Sequence, residues 1–243
     1  QEISRASKLQ SIGLLAGGIA HDFNNLLTVI LGNVAVMKTS LPAEGELVSC
    51  LGEAERAVLR AKDLTQQLLT FARGGDPVRT AVQLSETITE AAAFGARGSA
   101  VRCEFDLAPD LWLADVDRGQ IAQVVQNLVL NAVQAMPRGG VVRISARNET
   151  VAAGTAAVQP GDYVRLTVAD GGCGISREDL NRIFDPFFTT KPLGSGLGLA
   201  TAYSIIKKHR GAIDVSSEPE VGTTFQILLP AARHATTPRG PAT

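Results

Sequence analysis

The segment Asp170-Gly171-Gly172-Cys173-Gly174-Ile175 follows a strand-like run that ends at Ala169. Its glycines permit tight turning and close approach of the backbone to a neighbouring group, while Asp170 offers a hydrogen-bond acceptor at a fixed position. Alone, the segment also suits a plain turn from a strand to a helix. Its interpretation therefore depends on the motifs around it.

A second glycine cluster, Gly194-Ser195-Gly196-Leu197-Gly198-Leu199, opens a helical pattern that runs to His209. Unpaired backbone N–H groups and the positive end of the helix dipole favour an anion at such a helix start, so phosphate binding suits this segment. The spacing matches neither the P-loop signature nor the dinucleotide fingerprint, which excludes a Rossmann-type site.

Two asparagines upstream, Asn127 and Asn131, lie four residues apart on a predicted helix and share one of its faces. Amide oxygens placed in this way can ligate a hard cation such as Mg²⁺. A merely polar helix face explains the same pair without any ligand, so the pair by itself decides nothing.

The region after Val78 alternates between strand-like and helical patterns. The strand-like runs, several with period-two alternation, are Val101–Leu107, Val141–Asn148, Tyr163–Ala169, Ala212–Ser216 and Thr224–Leu229. The helical patterns between them are Leu84–Ala96, Asp117–Met136, Arg177–Phe184 and Leu197–His209. We expect an α/β sandwich with its helices on one face of the sheet.

The first part of the chain has apolar residues at spacings of three and four, from Ile12 to Met37 and again from Leu47 to Phe71. Two antiparallel helices result, and pairing with a second copy in a four-helix bundle would bury their apolar seams. We expect an α+β chain with a helical hairpin at 1–75, a linker at 76–82, an α/β domain at 83–232 and a flexible tail at 233–243. The hairpin should form a homodimer.

The composition excludes several classes of partner. With 23 basic and 24 acidic residues the formal net charge is -1, so neither nucleic acid nor an acidic membrane is expected. The three isolated cysteines lack the spacing of a zinc site or disulfide framework, and the most apolar stretch is too short to span a bilayer. We expect a cytoplasmic fragment that begins inside a helical pattern, with its sensor region removed.

Taken together, the motifs of the second region resemble the ATP-binding domain of histidine kinases, within the GHKL (Bergerat) superfamily. The matching segments are Asn127–Ala132 for the N box, Asp170–Gly174 for the first glycine box, Phe184–Phe188 for the F box, Gly194–Leu199 for the second glycine box and Gly222-Thr223 for the closing turn. The resemblance implies ATP and Mg²⁺ as cofactors. Asp170 would accept a hydrogen bond from the adenine amino group, and Asn131 would hold the metal ion.

The same resemblance implies a wider ATP site and a short lid at 189–195. Many relatives carry a basic residue where this chain has Gln134, so Lys191 or Arg138 is expected to supply positive charge to the phosphates. Besides Asp170 and Asn131, the implied nucleotide contacts are Asn127, Gly172, Gly174, Lys191, Gly194, Ser195, Gly196, Leu197, Gly198 and Thr223.

The segment Ile19–Leu27 resembles the H box of the dimerisation and phosphotransfer domain, which makes His21 the expected phosphoacceptor. Helical geometry agrees, because His21 lies about 200° around the helix from Ile19 and points away from the apolar seam. By resemblance, Asp22 accepts a hydrogen bond from Nδ1 of His21 and makes Nε2 the nucleophile. Asn25, one turn later on the same face, would orient the water that dephosphorylates a regulator.

The implied function is that of a sensor histidine kinase core, which autophosphorylates His21 and passes the phosphoryl group to an aspartate of a response-regulator receiver domain. One alternative is a GHKL ATPase that hydrolyses ATP to drive a conformational cycle. Such enzymes use a glutamate where this chain has Asn127, and an amide is no base at neutral pH. The other alternative is a pseudokinase scaffold, which would show damaged ATP motifs or a lost histidine, and this sequence keeps both.

Overall fold

A computed structural model describes residues 25–39, 45–72, 76–152, 158–191 and 194–232 of the chain. The described residues fall into two compact units. One contains residues 25–39 and 45–72 together with Lys191 and 194–197, and the other contains residues 76–152, 158–190 and 198–232. No helix within these ranges is both long enough and apolar enough to cross a membrane.

The first unit is built on two helices, α1 over residues 25–39 and α2 over Glu46–Ala72. An ion pair of 2.6 Å between Nζ of Lys38 and Oε2 of Glu55 joins the two helices. The predicted pair of long helices is therefore present, within the part of it that the structure describes.

The predicted seam contains Leu26, Ile30, Val34 and Met37 within α1, and of these four only Val34 is buried. Leu27 and Val34 are buried, whereas Leu26, Ile30 and Met37 are 62%, 46% and 47% exposed. Leucine or isoleucine occupies both 26 and 27 and both 30 and 31, so a period of 3.6 fits two adjacent stripes equally well. Helix α1 consequently has two apolar stripes, of which one is buried and one is exposed.

The second unit is organised around a five-stranded sheet in the order β2-β4-β5-β7-β6. Strand β2 runs parallel to β4, and the remaining neighbours are antiparallel. The strands are β2 (Val101–Leu107), β4 (Gly140–Val151), β5 (Gly161–Asp170), β6 (Ala212–Glu218) and β7 (Gly222–Pro230). Two short strands, β1 (Thr80–Val82) and β3 (Ala114–Val116), pair antiparallel beside it.

Three helices cover one face of this sheet, with α3 packed on α4 and α4 packed on α6. They are α3 (Leu84–Gly95), α4 (Arg118–Ala135) and α6 (Gly198–Lys208), and the short α5 (Arg177–Leu180) lies between β5 and α6. Along β2, β4 and β5, every second side chain points away from the core, and several of these form ion pairs between neighbouring strands. The pairs are Arg143–Glu104, Arg147–Asp106 and Arg165–Glu149. This alternation is the period-two signal of the sequence.

The predicted fold class, a helical hairpin followed by an α/β sandwich, is confirmed, and two local predictions need correction. The expected helix Arg177–Phe184 ends at Leu180, because backbone bonding changes to the tighter i to i+3 pattern at Arg182 and Asp185. The expected linker 76–82 overlaps β1, since Thr80–Val82 pairs with β3.

Candidate nucleotide-binding site

Asp170 is the last residue of β5 and lies in register with Thr223 on β7. Its Oδ1 accepts a hydrogen bond of 2.9 Å from the backbone N–H of Gly172, a turn that aspartate forms readily where a strand ends. The side chain is half-buried. The carboxylate is therefore held in one orientation at the end of the sheet.

Two positions of the loop after Asp170 have no room for a side chain. A Cβ added to Gly172 would lie 2.6 Å from Cβ of Ala135, and one added to Gly174 would lie 2.1 Å from the carbonyl oxygen of Glu218. Gly174 also has φ of +69°, in the left-handed region that favours glycine. The two glycines let this loop lie directly against the end of α4 and the β6–β7 turn.

Backbone hydrogen bonds fix the same loop from both sides. The N–H of Cys173 donates to the carbonyl of Ala135 at 3.2 Å, and the carbonyl of Cys173 accepts from the N–H of Glu220 at 2.9 Å. The side chain of Cys173 is exposed. The loop backbone is thus clamped, while its one thiol faces solvent.

A row of polar side chains crosses three strands beside this loop. Asp170 pairs with Thr223, and Thr223 pairs with Ser217 on β6. Ser217 Oγ donates to the carbonyl of Gly222 at 2.8 Å and accepts from the N–H of Ile175 at 2.9 Å, so the 2.9 Å contact with Thr223 Oγ1 has threonine as donor. Ser217 thereby joins the closing turn to the first glycine box.

Ser217 is a residue that sequence reasoning missed. It lies one residue beyond the predicted strand Ala212–Ser216, and no local motif distinguishes it from its neighbour Ser216. Only the pairing register of β6 with β7 assigns it to the site.

Helix α4 connects the two glycine clusters. Asn127 and Asn131 lie on it four residues apart, both half-buried, and Nδ2 of Asn127 donates a 3.0 Å hydrogen bond to the carbonyl of Gly198. Gly198 is the first residue of α6, whose first turn has no acidic side chain and whose last turn holds Lys207 and Lys208. The N-terminal end of α6 therefore keeps its positive dipole for an anion.

These residues fit magnesium and a nucleotide. Asn131 presents an amide oxygen of the hard type that Mg²⁺ accepts, and Asp170 presents a fixed carboxylate. Gly172 and Gly174 let the loop backbone lie close to its neighbours. The N–H groups at the start of α6 are of the kind that hold phosphate.

Two family models match the chain. Residues 116–233 match "Histidine kinase-, DNA gyrase B-, and HSP90-like ATPase", and residues 11–77 match "His Kinase A (phospho-acceptor) domain". The chain belongs to the sensor histidine kinases.

Known kinases support this assignment in sequence and in fold. The sensor kinase CckA of Brucella abortus (strain 2308) is 38% identical over an alignment of 239 residues, which covers 94% of this chain and 25% of CckA. Histidine kinase ThkA in complex with response regulator protein TrrA matches with 26% identity and a TM-score of 0.62, covering 95% of this kinase and 65% of that chain. Full-length ShkA in complex with AMPPNP shares the fold, with a TM-score of 0.72 at 24% identity, covering 91% of this kinase and 46% of that chain.

The kinase chain is shorter than the curated relatives it matches. It spans 25% of CckA and 48% and 50% of two ZraS proteins from Klebsiella oxytoca and Escherichia coli (strain K12).

The structure brings only part of the predicted site of this kinase into one unit. Lys191 and the cluster residues from 194 to 197 belong to the unit of the helical hairpin, so the second glycine box is divided between Leu197 and Gly198. Within its own unit, the N–H of Gly194 donates to the carbonyl of Lys191 at 3.1 Å. The predicted contacts found in the α/β unit are Asn127, Asn131, Asp170, Gly172, Gly174, Gly198 and Thr223.

The F box of the kinase forms a turn rich in ring contacts. The rings of Phe184 and Tyr203 lie 5.2 Å apart between centroids, and the guanidinium of Arg182 lies 4.5 Å from the ring centre of Phe188. Phe187 between them is 54% exposed, with φ of +65°. The turn is thus fixed to α6 through Tyr203.

Most of the predicted H box, Ile19–Leu27, lies outside the described residues. His21 and Asp22 are outside the described residues. Asn25 is the first described residue of α1 and is exposed, as the prediction for a residue that meets a partner requires.

Proposed function

We propose that the chain binds Mg·ATP in its α/β unit, phosphorylates His21 and donates the phosphoryl group to an aspartate of a response-regulator receiver domain. The observation that carries this proposal is the row formed by Asp170, Thr223 and Ser217 beside a loop that has no room for a Cβ at Gly172 or Gly174. Its functional parts are a phosphotransfer hairpin within 1–75 and a catalytic domain within 83–232. The need for ATP assigns this activity to the cytoplasm.

Each described residue has a role in nucleotide binding under this proposal. The fixed carboxylate of Asp170 accepts a hydrogen bond from the adenine amino group, and Thr223 and Ser217 hold the strand beside it in place. Asn131 supplies an oxygen ligand for Mg²⁺, which when bound neutralises charge on the transferred phosphoryl group. The N–H groups at the start of α6 donate to phosphate oxygens.

Phosphoryl transfer then needs little further machinery. Nε2 of His21 attacks the γ-phosphorus, a P–N bond forms, and the P–O bond to ADP breaks. Asp22 accepts the N–H of Nδ1 and so keeps Nε2 unprotonated before attack. ATP hydrolysis is the weaker interpretation, because Asn127 stands at the position of the water-activating base and its amide is committed to the carbonyl of Gly198.

Exposed apolar side chains of the hairpin support a homodimer. Along α1 and α2 the exposed apolar residues are Leu26, Val29, Ile30, Val36, Met37, Leu47 and Leu59. A second copy would bury the exposed apolar side chains of α1 and of α2 by forming a four-helix bundle. This is the common way for two amphipathic helices to complete a core.

Asn25 is proposed to act on the phosphorylated regulator. Its exposed amide can both donate to and accept from water, so it can orient the water that attacks the regulator's acyl phosphate. Replacement by alanine should leave autophosphorylation near normal and slow the decay of a separately phosphorylated regulator. Equal rates of regulator dephosphorylation with the wild type and Asn25→Ala would reject this role of Asn25 without contradicting the proposed autophosphorylation.

Incubation of the chain with Mg²⁺ and γ-labelled ATP tests the central proposal. The protein should gain acid-labile, base-stable label of the phosphohistidine type, and His21→Gln should gain none while still binding ATP. Label that persists in His21→Gln would contradict the assignment of the phosphoacceptor. Release of inorganic phosphate without labelled protein would favour an ATPase instead.

A further inference from the structure

His209 follows the last residue of α6 and is completely buried, with 0% of its surface exposed. Its Nδ1 lies 2.8 Å from the carbonyl oxygen of Ile205, and its Nε2 lies 3.0 Å from the backbone nitrogen of Asp117. A carbonyl can only accept and a backbone N–H can only donate, so the ring is neutral, with its proton on Nδ1. Burial lowers the pKa of this imidazole, in agreement with the neutral form.

The residue that His209 holds is the N-cap of α4. Asp117 Oδ1 accepts from the N–H of Gln120 at 3.1 Å, which caps the helix, and its Oδ2 accepts from the N–H of Val78 at 3.1 Å. Asp117 thus connects the start of α4, the end of α6 and the segment that leads into β1.

The opposite end of α6 is tied to α4 as well. Nδ2 of Asn127 donates to the carbonyl of Gly198, the first residue of α6, at 3.0 Å. Asn127 and His209 therefore hold the 11-residue helix to α4 at its two ends. A short helix moves as a rigid rod, so release of one end displaces the other.

We propose that His209 is a positioning residue for nucleotide binding, which holds α6 on the N-cap of α4 so that the start of α6 and Asn131 keep the spacing that Mg·ATP requires. This inference rests on the proposed function of the α/β unit. His209 lies at the far end of α6 from the glycine cluster, and it acts on the nucleotide through the helix rather than by touching it.

Protonation of the ring would break this connection. A proton on Nε2 would face the N–H of Asp117, leaving two donors opposed in a buried site. The charged groups around the ring are Asp117 at the N-cap, Asp115 on β3, Arg79 before β1 and the adjacent Arg210. Asp115 and Arg79 pair with each other at 3.5 Å, so their opposite charges largely cancel. ATP affinity should accordingly fall when His209 becomes protonated.

Two variants of the full chain separate positioning from plain packing. His209→Gln keeps a side-chain acceptor for the N–H of Asp117, whereas His209→Leu fills the space and removes it. Ile206→Val is the matched control, because Ile206 is equally buried on the same helix and loses only a methyl group. ATP affinity is measured by calorimetry at neutral pH and then at decreasing pH until ¹⁵N NMR shows the ring protonated on both nitrogens, which occurs below the usual histidine pKa of about 6.5 because burial lowers the pKa of His209.

His209→Leu should weaken ATP binding on the order of fivefold to tenfold, because α6 shifts to relieve the unpaired buried N–H of Asp117 and ATP binding must reverse that shift. His209→Gln and Ile206→Val should stay within about twofold of the wild type. Lowering the pH should weaken binding by the wild type more than by His209→Gln. Histidine-selective ¹⁵N NMR of the wild type should show a ring protonated on Nδ1 alone, absent from His209→Gln.

A folded His209→Leu that binds ATP like the wild type would overturn the inference. If that variant does not fold, equal ATP affinities of wild type and His209→Gln at a pH at which NMR shows the wild-type ring protonated on both nitrogens would overturn it, as would a ring protonated on Nε2 at neutral pH. Wild-type protein that binds no ATP would instead overturn the proposed function on which the inference rests.

Discussion

The helical hairpin and the α/β unit bury their apolar residues to very different extents. In the α/β unit, large side chains such as Ile88, Ile121 and Phe225 are at most 1% exposed. Among the side chains described in the two hairpin helices, only Leu27, Val34 and Thr65 are buried, while whole apolar stripes face solvent. The α/β unit completes its core within one chain, whereas the hairpin needs a further surface. Nucleotide binding and assembly should therefore respond to separate mutations.

Asp170→Asn tests that separation with the largest expected effect. The amide would oppose its N–H donors to the adenine amino group, and a lost hydrogen bond to a charged acceptor costs about 1.5–3 kcal/mol, or on the order of tenfold to a hundredfold in ATP affinity. Calorimetry measures the affinity, and light scattering should give an unchanged molecular mass. Unaltered ATP binding would mean that the site has been placed wrongly.

Gly174→Ala should destabilise the α/β unit without touching the hairpin. The new Cβ would overlap the carbonyl of Glu218, and φ of +69° is unfavourable for alanine, so unfolding free energy should fall by about 1–3 kcal/mol. Urea denaturation followed through Trp112, which lies in this unit, reports the change. Gly98→Ala is the control, since Gly98 has a similar φ of +74° but open space around it. Equal losses in both variants would show that φ alone matters and that close packing of the loop does not.

Ile30→Asp should act on the hairpin alone. Ile30 is 46% exposed on the solvent-facing stripe, and a charge in the proposed dimer interface should weaken association by about 2 kcal/mol or more, roughly thirtyfold. Analytical ultracentrifugation measures the association constant. Phe94→Asp provides the comparison, because Phe94 is 60% exposed on α3 of the other unit and should leave the mass unchanged. A dimer that is lost in Phe94→Asp and kept in Ile30→Asp would show that the α/β unit, and not the hairpin, mediates dimerisation.

The smallest effect concerns the ion pairs on the open face of the sheet. A hydrogen bond from Arg165 lowers the pKa of Glu149, and a partly exposed pair of this kind contributes about 0–1 kcal/mol. Because the pKa is lower in the folded state, this contribution is present above the ordinary glutamate pKa and is lost as the pH falls below it. Denaturation of wild type and Glu149→Gln should differ slightly at neutral pH and converge in acid. A difference that persists in acid would assign the effect to packing.

Regular alternation made most of the α/β unit predictable from sequence. Strand Val101–Leu107 was expected with the bounds that the structure gives it, because seven residues suffice to express a period of two. Thr80–Val82 and Ala114–Val116 could not be predicted, since three residues carry no period and their pairing is long-range. The seam predicted for α1 was right at Val34 and wrong at Leu26, Ile30 and Met37 for another reason. Adjacent apolar residues satisfy two helical stripes, and only packing selects one.

The glycine clusters could also be predicted from the sequence, because glycine is needed there for local steric reasons. Ser217 and His209 were not assigned to the site, since their roles come from partners 42 and 92 positions away in the chain. Motif reading finds residues whose role is local in sequence. Residues that connect distant elements need the fold.

Cys173 offers a practical handle for following this protein in solution. Its backbone is held on both sides by Ala135 and Glu220, while its thiol is exposed. Burial raises the pKa of Cys103 and slows its reaction, so replacing exposed Cys50 by serine leaves one readily labelled position. A small thiol-reactive fluorophore would then sit within the first glycine box without disturbing the hydrogen bonds that shape it. Its emission would report the arrival and departure of nucleotide in real time.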